Sequence, residues 1–232
     1  MPGTLYGVGV GPGDPELITL KAVRLIREST CIAAPGKDAR EAVAYKIAVQ
    51  AVPELREKKL LSVYMPMSHD RATREACHRE GVRMLEEILD TGENVVFLTL
   101  GDPTVYSTFS YLQARIEVDG YPTALVSGIT SFCAAAARLN RPLSLLQESL
   151  HIIPAQYRLD EKLDRDGTYI LMKSGKKMDQ VKRILRESKK DVCMVENCGM
   201  EKEKIYLGVD EIPDDAGYYS LIIAKEPERA HD

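Results

Sequence analysis

The chain has 232 residues, of which 44% are hydrophobic and 28% charged, and its formal net charge is −4 at pH 7. This composition is typical of a globular protein, and the mildly acidic balance argues against a nucleic-acid partner, whose phosphates require a basic surface. Met1 is followed by Pro2-Gly3-Thr4 and then a strand, and no stretch approaches the roughly 18 uninterrupted apolar residues of a membrane helix, so we expect a cytoplasmic protein without a membrane partner.

The first half of the chain alternates predicted strands and helices at the spacing of βα units. The predicted strands cover residues 4–10, 30–34, 60–64, 94–100 and 122–127, and the predicted helices cover residues 15–28, 39–52, 73–91 and 105–119. In the third helix Val82, Leu85, Ile88 and Leu89 form an apolar stripe, and Gly92 is expected to end it. The pattern predicts a parallel sheet with helices on both faces.

After residue 127 the predicted strands are more separated and are joined by shorter turns. They cover residues 150–153, 168–172, 191–195, 204–208 and 218–223, with helices at 132–137 and 178–187. Several of these turns are too short for a crossover helix, which predicts a mixed sheet. The chain is therefore predicted to be an α/β protein of two domains, residues 1–127 and 128–232.

The five cysteines indicate reduced thiols rather than a disulfide framework or a metal site. They are Cys31, Cys77, Cys133, Cys193 and Cys198. Their number is odd and no Cys-x-x-Cys pair occurs, as expected in a reducing compartment. No metal site is predicted.

Two glycine- and proline-containing loops follow predicted strands of the first half. Gly11-Pro12-Gly13-Asp14-Pro15 follows the first strand, and Leu100-Gly101-Asp102-Pro103 follows the fourth. Open parallel sheets bind ligands beyond the carboxyl ends of their strands, where loop backbone and helix amides converge. We expect these two loops to outline one cofactor site.

The first loop does not suit a phosphate. Asp14 stands where a dinucleotide fingerprint has its third glycine, and Pro12 lacks an amide donor. The Asp14 carboxylate would also occupy the positive end of the following helix that a phosphate needs. The loop therefore favours a cationic or zwitterionic ligand such as a sulfonium. A tight turn, with Asp14 as a cap and Pro15 at the first helical position, is the alternative.

Other phosphate or hydrolase motifs are missing from the sequence. No segment contains the Gly-x-x-x-x-Gly-Lys-Ser/Thr phosphate loop, and Gly128-Ile129-Thr130-Ser131 does not match the nucleophile elbow Gly-x-Ser-x-Gly. Nucleotide hydrolysis and serine hydrolase chemistry therefore have no support.

Five segments together resemble the tetrapyrrole methylases, the S-adenosylmethionine-dependent enzymes of corrin and sirohaem synthesis. They are residues 9–22, 100–103, 128–131, 171–172 and 196–200. Within that family, Tyr64-Met65-Pro66-Met67-Ser68 and residues 101–112 are most similar to the C20-methyltransferases that act on precorrin-2 or its cobalt complex. Thr104-Val105-Tyr106-Ser107-Thr108 favours the cobalt-first, anaerobic branch.

The resemblance implies a two-domain α/β homodimer that holds S-adenosyl-L-methionine in the cleft between its domains. Carried over residue by residue, the implied cofactor contacts are Pro12, Leu100, Gly101, Asp102, Val105, Thr130, Ser131, Met172 and Cys198. Cys198 stands where some relatives have glycine, so we expect its contact to be made by the backbone.

The chemistry of such a reaction, together with positions near the predicted loops, suggests candidate catalytic and substrate-binding residues. Asp102 is the candidate for assisting loss of the proton from the methylated carbon, with a loop cap or a cofactor hydrogen-bond acceptor as the alternative roles. Tyr106 is expected either to contact the substrate or to belong to the core. Candidates for binding substrate carboxylates are Arg71, Arg74, Arg138, Arg141, Arg158 and Lys173.

The expected activity is methylation of C20 of a reduced tetrapyrrole, cobalt-factor II or precorrin-2, with S-adenosyl-L-homocysteine as the second product. Another tetrapyrrole methylase, of the uroporphyrinogen or precorrin-4 type, is one alternative. A diphthine-synthase-like protein methyltransferase is a second, against which Met65-Pro66-Met67 and residues 104–112 count. A tetrapyrrole carrier without turnover is a third.

Overall fold

A computed structural model describes residues 1–66, 70–155 and 163–227 of the chain. The chain forms two compact units, Met1–Thr130 and Ser131–Asp232. The predicted domain boundary after residue 127 stays a prediction. In the described ranges no helix combines the length and the apolar character needed to cross a membrane.

The first unit is built on a five-stranded parallel sheet, as predicted. Its strands are β1 (Leu5–Gly9), β2 (Cys31–Pro35), β3 (Lys59–Val63), β4 (Val95–Thr99) and β5 (Thr123–Val126), in the order β3-β2-β4-β1-β5. These strands are rich in buried apolar residues because helices cover both faces. Since β1 and β4 are neighbours, the loops that follow them leave the same edge side by side.

Four helices cover this sheet, two on each face. They are α1 (Leu20–Glu28), α2 (Val43–Ala51), α3 (Arg71–Leu89) and α4 (Phe109–Val118). Residues of α1 and α2 pack with Val8 and Leu98 in one apolar cluster, and residues of α3 and α4 pack with Phe97 in the other. The predicted stripe of α3 is buried, and Gly92 follows its end with φ +85°. The prediction of helices on both faces is confirmed.

The starts of the first two helices differ from the prediction. Residues 15–28 were expected to form one helix, but Pro15–Leu17 is a separate 3₁₀ turn, and α1 begins after Thr19, whose Oγ1 accepts from Ala22 N at 3.2 Å. Residues 39–52 divide in the same way, with a 3₁₀ turn at Ala39–Glu41 before α2. Short polar side chains bond to nearby amides and so compete with continuous helix.

The fourth helix begins four residues later than predicted. Residues 105–108 are not helical, and α4 starts at Phe109. Tyr106 has φ 49°, in the left-handed region that a right-handed helix does not use, and Val105 N donates to Asp102 O at 3.3 Å in a turn. The loop after β4 therefore extends from Leu100 to Thr108. By contrast α3 starts at Arg71, two residues before its predicted start, because Asp70 caps it.

The second unit contains the predicted mixed sheet. Its strands are β6 (Leu150–Pro154), β7 (Thr168–Met172), β8 (Asp191–Glu196), β9 (Lys204–Leu207) and β10 (Ser220–Lys225), in the order β6-β7-β10-β8-β9. Only the β6–β7 pair is parallel. Helices α5 (Ser131–Arg138) and α6 (Met178–Ser188) complete this unit, and Met178, Val181 and Leu185 of α6 belong to its apolar core.

Candidate functional site

The loops after β1 and β4 are hydrogen-bonded to each other at the carboxyl edge of the parallel sheet. Gly11 N donates to Gly101 O at 3.3 Å, and Gly101 N donates to Gly11 O at 2.8 Å. Both glycines have positive φ, +80° and +70°, a conformation that side chains with a Cβ rarely adopt. The two loops that the sequence placed together are therefore in direct contact.

A third loop, which follows β5, contacts the loops after β1 and β4 through its backbone. A Cβ on Gly9 would lie 2.5 Å from Gly101 O, and a Cβ on Gly128 would overlap the same oxygen. Three backbone segments thus meet at one point because none of them carries a side chain there. The motif Gly128-Ile129-Thr130-Ser131 starts at this crossing.

Asp102 joins the β4 loop to the β5 loop. Its side chain is buried, one oxygen (Oδ1) accepts from the amide of Thr104 at 2.7 Å and from the Thr104 hydroxyl, and Oδ2 accepts from Gly128 N at 3.0 Å. In the part of the chain that the structure describes, Asp102 forms no salt bridge. These bonds are those of a loop cap, the alternative role for Asp102, and its role in proton removal stays a prediction.

Asp14 and Pro15 form the tight turn that was the alternative interpretation of the first loop. The Asp14 Oδ1 accepts from Glu16 N at 2.8 Å, and Pro15 is the first residue of the 3₁₀ turn. The carboxylate therefore caps only this 3₁₀ turn, and not the positive end of the following helix as expected, because Thr19 caps the N-terminus of α1. Pro12 is buried within this loop. Its contact with a cofactor stays a prediction.

The remaining residues of the β4 loop differ in exposure. Leu100 is half-buried and packs against the α1 and α2 apolar cluster, and Val105 is half-buried. Tyr106 is 45% exposed. The interpretation of Tyr106 as a core residue is therefore wrong, and residues 105–108 do not form the helix on which it rested.

Two threonine hydroxyls near the loop crossing are buried without a hydrogen-bond partner among the described residues. They are Oγ1 of Thr99, at the end of β4, and Oγ1 of Thr130, after β5. A buried polar group without a partner costs about 1–3 kcal/mol, so a ligand that bonds to these hydroxyls would be favoured. Thr130 was a predicted cofactor contact. Thr99 was not, although a polar residue at the end of an apolar strand was a signal for it.

The second unit brings two predicted cofactor residues to one edge of its own sheet. Met172 ends β7 and Cys198 follows β8, and both strands pair with β10, where Leu221 lies opposite Met172 and Val195. Met172 and Cys198 are both half-buried, and Ser131 begins α5. These three residues belong to the second unit, and their contact with the cofactor stays a prediction.

The turn after Met172 has an unusual backbone and an unpartnered hydroxyl. Lys173 has φ 60°, and burial lowers the pKa of its ammonium group. Ser174 is fully buried, and its Oγ has no hydrogen-bond partner in the described residues. Strained backbone of this kind clusters at binding sites, so this turn is a candidate binding element of the second unit.

The basic residues predicted to bind substrate carboxylates are mostly paired within the protein. Arg71 pairs with Glu75, Arg138 with Glu203, and Arg141 with Asp191, at 2.8, 2.5 and 2.9 Å, and all three arginines are exposed. Arg74 and Lys173 are half-buried, and Arg158 lies outside the described residues, as do Met67 and Ser68 of the motif after β3.

Comparison with known proteins identifies relatives over almost the whole chain. The family model for tetrapyrrole (corrin/porphyrin) methylases matches residues 4–211. A probable cobalt-precorrin-2 C(20)-methyltransferase of Methanocaldococcus jannaschii is 34% identical over 229 residues, 97% of each chain. The cobalt-precorrin-2 C(20)-methyltransferase of Salmonella typhimurium is 31% identical over 234 residues, 97% of this chain and 98% of the relative.

The fold is also that of a solved structure. A uroporphyrin-III C-methyltransferase from Thermus thermophilus, complexed with S-adenosyl homocysteine, superposes with a TM-score of 0.70 at 21% identity. The alignment covers 97% of this chain and 98% of that one. The likeness extends over both units and confirms the predicted fold class.

Proposed function

This chain belongs to the tetrapyrrole methylase family, and we propose that it transfers a methyl group from S-adenosyl-L-methionine to C20 of a reduced tetrapyrrole in cobalamin biosynthesis. The substrate is cobalt-factor II or precorrin-2. The observation that carries this assignment is the match, over nearly full length, to two proteins named as cobalt-precorrin-2 C20-methyltransferases at 34% and 31% identity. The cobalt complex is the favoured substrate because both names specify it.

The joined loops after β1, β4 and β5 support binding of the methyl donor at the carboxyl edge of the parallel sheet. The buried Asp102 carboxylate gives the crossing a negative charge that suits a sulfonium. The buried Thr130 hydroxyl has no partner in the part of the chain that the structure describes and is available to a ligand. The proposed donor contacts are Pro12, Leu100, Gly101, Asp102, Val105, Thr130, Ser131, Met172 and Cys198.

Methyl transfer requires the protein mainly to position the methyl donor and the acceptor carbon. The bond from sulfur to the methyl carbon breaks as the bond from that carbon to C20 forms, and C20 then loses its proton. Alignment of donor and acceptor supplies a large part of the rate because it removes the entropy cost of their encounter. The loop crossing suits this task, since hydrogen bonds and close backbone contacts hold its three segments in position.

An assay for S-adenosyl-L-homocysteine release tests the proposal. The protein is incubated with the methyl donor and cobalt-factor II, precorrin-2, uroporphyrinogen III, precorrin-4 or no acceptor. Turnover with cobalt-factor II, or with precorrin-2, is the expected result. Turnover only with another tetrapyrrole changes the subfamily. Tetrapyrrole binding in a fluorescence titration without turnover indicates a carrier, and turnover only when a protein acceptor is added in place of the tetrapyrrole indicates a diphthine-synthase-like enzyme.

The proposal includes a homodimer, as the family resemblance implies, and a cytoplasmic location, which the reduced cysteines favour. Sedimentation equilibrium of the purified chain measures its mass directly. A mass twice that of the 232-residue chain supports the dimer. A single-chain mass at micromolar concentration contradicts it and leaves the methyltransferase assignment intact.

A further inference from the structure

The carboxyl edge of the parallel sheet extends beyond the loops assigned to the methyl donor. In the order β3-β2-β4-β1-β5, those loops follow β4, β1 and β5. The loops after β2 and β3 leave the same edge because all five strands are parallel. None of the nine proposed donor contacts lies on these two loops. This half of the edge is therefore unassigned, although β2 is the direct neighbour of β4.

The loops after β2 and β3 are tied to each other. Gly36 N donates to Val63 O at 2.9 Å, and Ala39 N donates to Ser62 Oγ at 2.9 Å. These bonds hold Lys37 beside Tyr64, with the Lys37 Nζ 5.5 Å from the centre of the tyrosine ring. The distance is within the cation–π range of about 6 Å. The hydrogen bonds therefore hold together the two backbone segments that carry this pair.

The positive charge of Lys37 is available to an incoming group. The neighbouring carboxylate, that of Asp38, accepts from Arg40 N at 2.9 Å and caps the turn. Among residues 1–66, 70–155 and 163–227, no carboxylate lies within salt-bridge distance of Lys37. Lys37 and Arg40 are exposed, and Tyr64 is 44% exposed. An ammonium group and an aromatic face thus stand together at the surface.

We propose that Lys37 and Tyr64 form a contact site for the tetrapyrrole substrate, in which Lys37 binds a peripheral carboxylate and the free face of Tyr64 packs on the macrocycle. This inference rests on the proposed function. A reduced tetrapyrrole combines a broad apolar ring system with carboxylate side chains, which match an aromatic face and an ammonium group. The β3 and β4 loops are two strand spacings apart, roughly 10 Å, a distance that one macrocycle spans.

The site also bears on which carbon is methylated. Tyr64 belongs to the segment that resembles the C20-methyltransferases, whereas the loops assigned to the donor are common to the family. A contact on the loops after β2 and β3 holds one side of the macrocycle, so that this side lies next to the β4 loop. We therefore expect Lys37 and Tyr64 to act on substrate affinity and orientation and to leave the affinity for the methyl donor unchanged.

The test compares Lys37→Met, Tyr64→Leu and Tyr64→Phe with Lys59→Met. Lys59 starts β3 and is an exposed lysine at the opposite edge of the same sheet, so it is a matched control. Calorimetry measures S-adenosyl-L-homocysteine binding, and fluorescence titration measures the binding of uroporphyrin III, a stable tetrapyrrole with eight carboxylates. Steady-state assays with cobalt-factor II add the KM and kcat of each variant.

Lys37→Met is expected to weaken tetrapyrrole binding and raise the substrate KM by about tenfold, and the loss should shrink at high salt. Tyr64→Leu should lose more affinity than Tyr64→Phe, which keeps the ring. Weaker binding of S-adenosyl-L-homocysteine in Lys37→Met would instead assign Lys37 to the carboxylate of the donor and overturn the proposal. Variants that bind the tetrapyrrole as tightly as Lys59→Met would also overturn it.

Failure of the proposed function and failure of the contact site alone give different results. If the wild-type protein binds neither tetrapyrrole nor S-adenosyl-L-homocysteine, the proposed function fails, and this inference with it. If the wild type binds both and turns over cobalt-factor II while Lys37→Met and Tyr64→Leu are unaffected, only the contact site is wrong.

Discussion

The carboxylate of Asp102 accepts a hydrogen bond from the backbone amide of Gly128, 3.0 Å from Oδ2 to N, across 26 residues of sequence. The other oxygen accepts from Thr104. Hydrogen bonds to a charged group contribute about 1.5–3 kcal/mol each, so this carboxylate stabilises the loop crossing that we assign to the methyl donor. If Asp102 holds the loops, its substitution changes donor binding. If Asp102 removes the proton, its substitution lowers kcat.

Asp102→Asn is expected to weaken donor binding more than it lowers kcat. An amide presents an NH₂ group in place of one oxygen, so either Thr104 or Gly128 then faces a donor instead of an acceptor. The pH profile of kcat should keep its shape. Steady-state kinetics across pH and calorimetry with S-adenosyl-L-homocysteine measure both effects. Asp14→Asn is the control, since the asparagine oxygen can still accept from Glu16 N. A large fall in kcat at saturating donor would identify Asp102 as the proton acceptor.

Gly101→Val is expected to abolish donor binding while the fold persists. Position 101 has φ +70°, and a β-branched side chain there would displace the β4 loop from Gly11. Gly120→Val is the matched control, because Gly120 has φ +90° and no atom within 4 Å of a Cβ, far from the loops. Calorimetry and circular dichroism compare the two variants. Equal donor affinity in both would remove the β4 loop from the site.

Thr130→Val is expected to leave the free protein as stable as the wild type, or more stable, and to weaken donor binding by about tenfold. Valine has nearly the same shape, and the hydroxyl it replaces has no partner in the described residues. Thermal unfolding with and without S-adenosyl-L-homocysteine measures both effects. Thr168→Val, at another unpartnered hydroxyl at the start of β7, should change stability alone. An unchanged ligand-induced shift in Tm for Thr130→Val would contradict the assignment.

Glu86 is expected to make stability depend on pH. Burial raises the pKa of its carboxyl, and Asp119 and Asp90 raise it further by hydrogen bonding and repulsion. The folded pKa therefore exceeds the unfolded one, so the contribution to stability is present below the unfolded pKa and is lost as pH rises through the folded pKa. Glu86→Gln should raise the free energy of unfolding at pH 8 more than at pH 4.

Urea unfolding at the two pH values measures this difference. Glu80→Gln is the control on the same helix, because the pKa of Glu80 is lowered by its hydrogen bond with Arg83, the opposite direction. A Glu86→Gln variant with the same gain in stability at both pH values would contradict the assignment of the effect to this carboxyl.

The methyl group is expected on C20, a bridge carbon of the macrocycle. Carbon-13 NMR of product made with methyl-labelled donor locates the label. A signal on a pyrrole-ring carbon such as C2 or C7 would contradict the C20 assignment while leaving the methyltransferase function in place.

Local sequence determined the elements whose hydrogen bonds and apolar periodicity involve residues close together in the chain. The apolar runs of β1 and β4, the stripe of α3 and the turn at Asp14-Pro15 depend on residues a few positions apart, and each could be read before the fold was known. The resemblance to a family then rested on the loops that these elements position.

Only the tertiary structure decided which polar side chains have a hydrogen-bond or ion-pair partner. The late start of α4 follows a loop whose Asp102 bonds to Gly128 at the end of another strand. Arg141 pairs with Asp191, 50 residues away, and the Thr99 and Thr130 hydroxyls find no partner in the described residues. A polar side chain is satisfied by whatever segment the fold brings within about 3 Å of it, and local sequence carries no information on that distance.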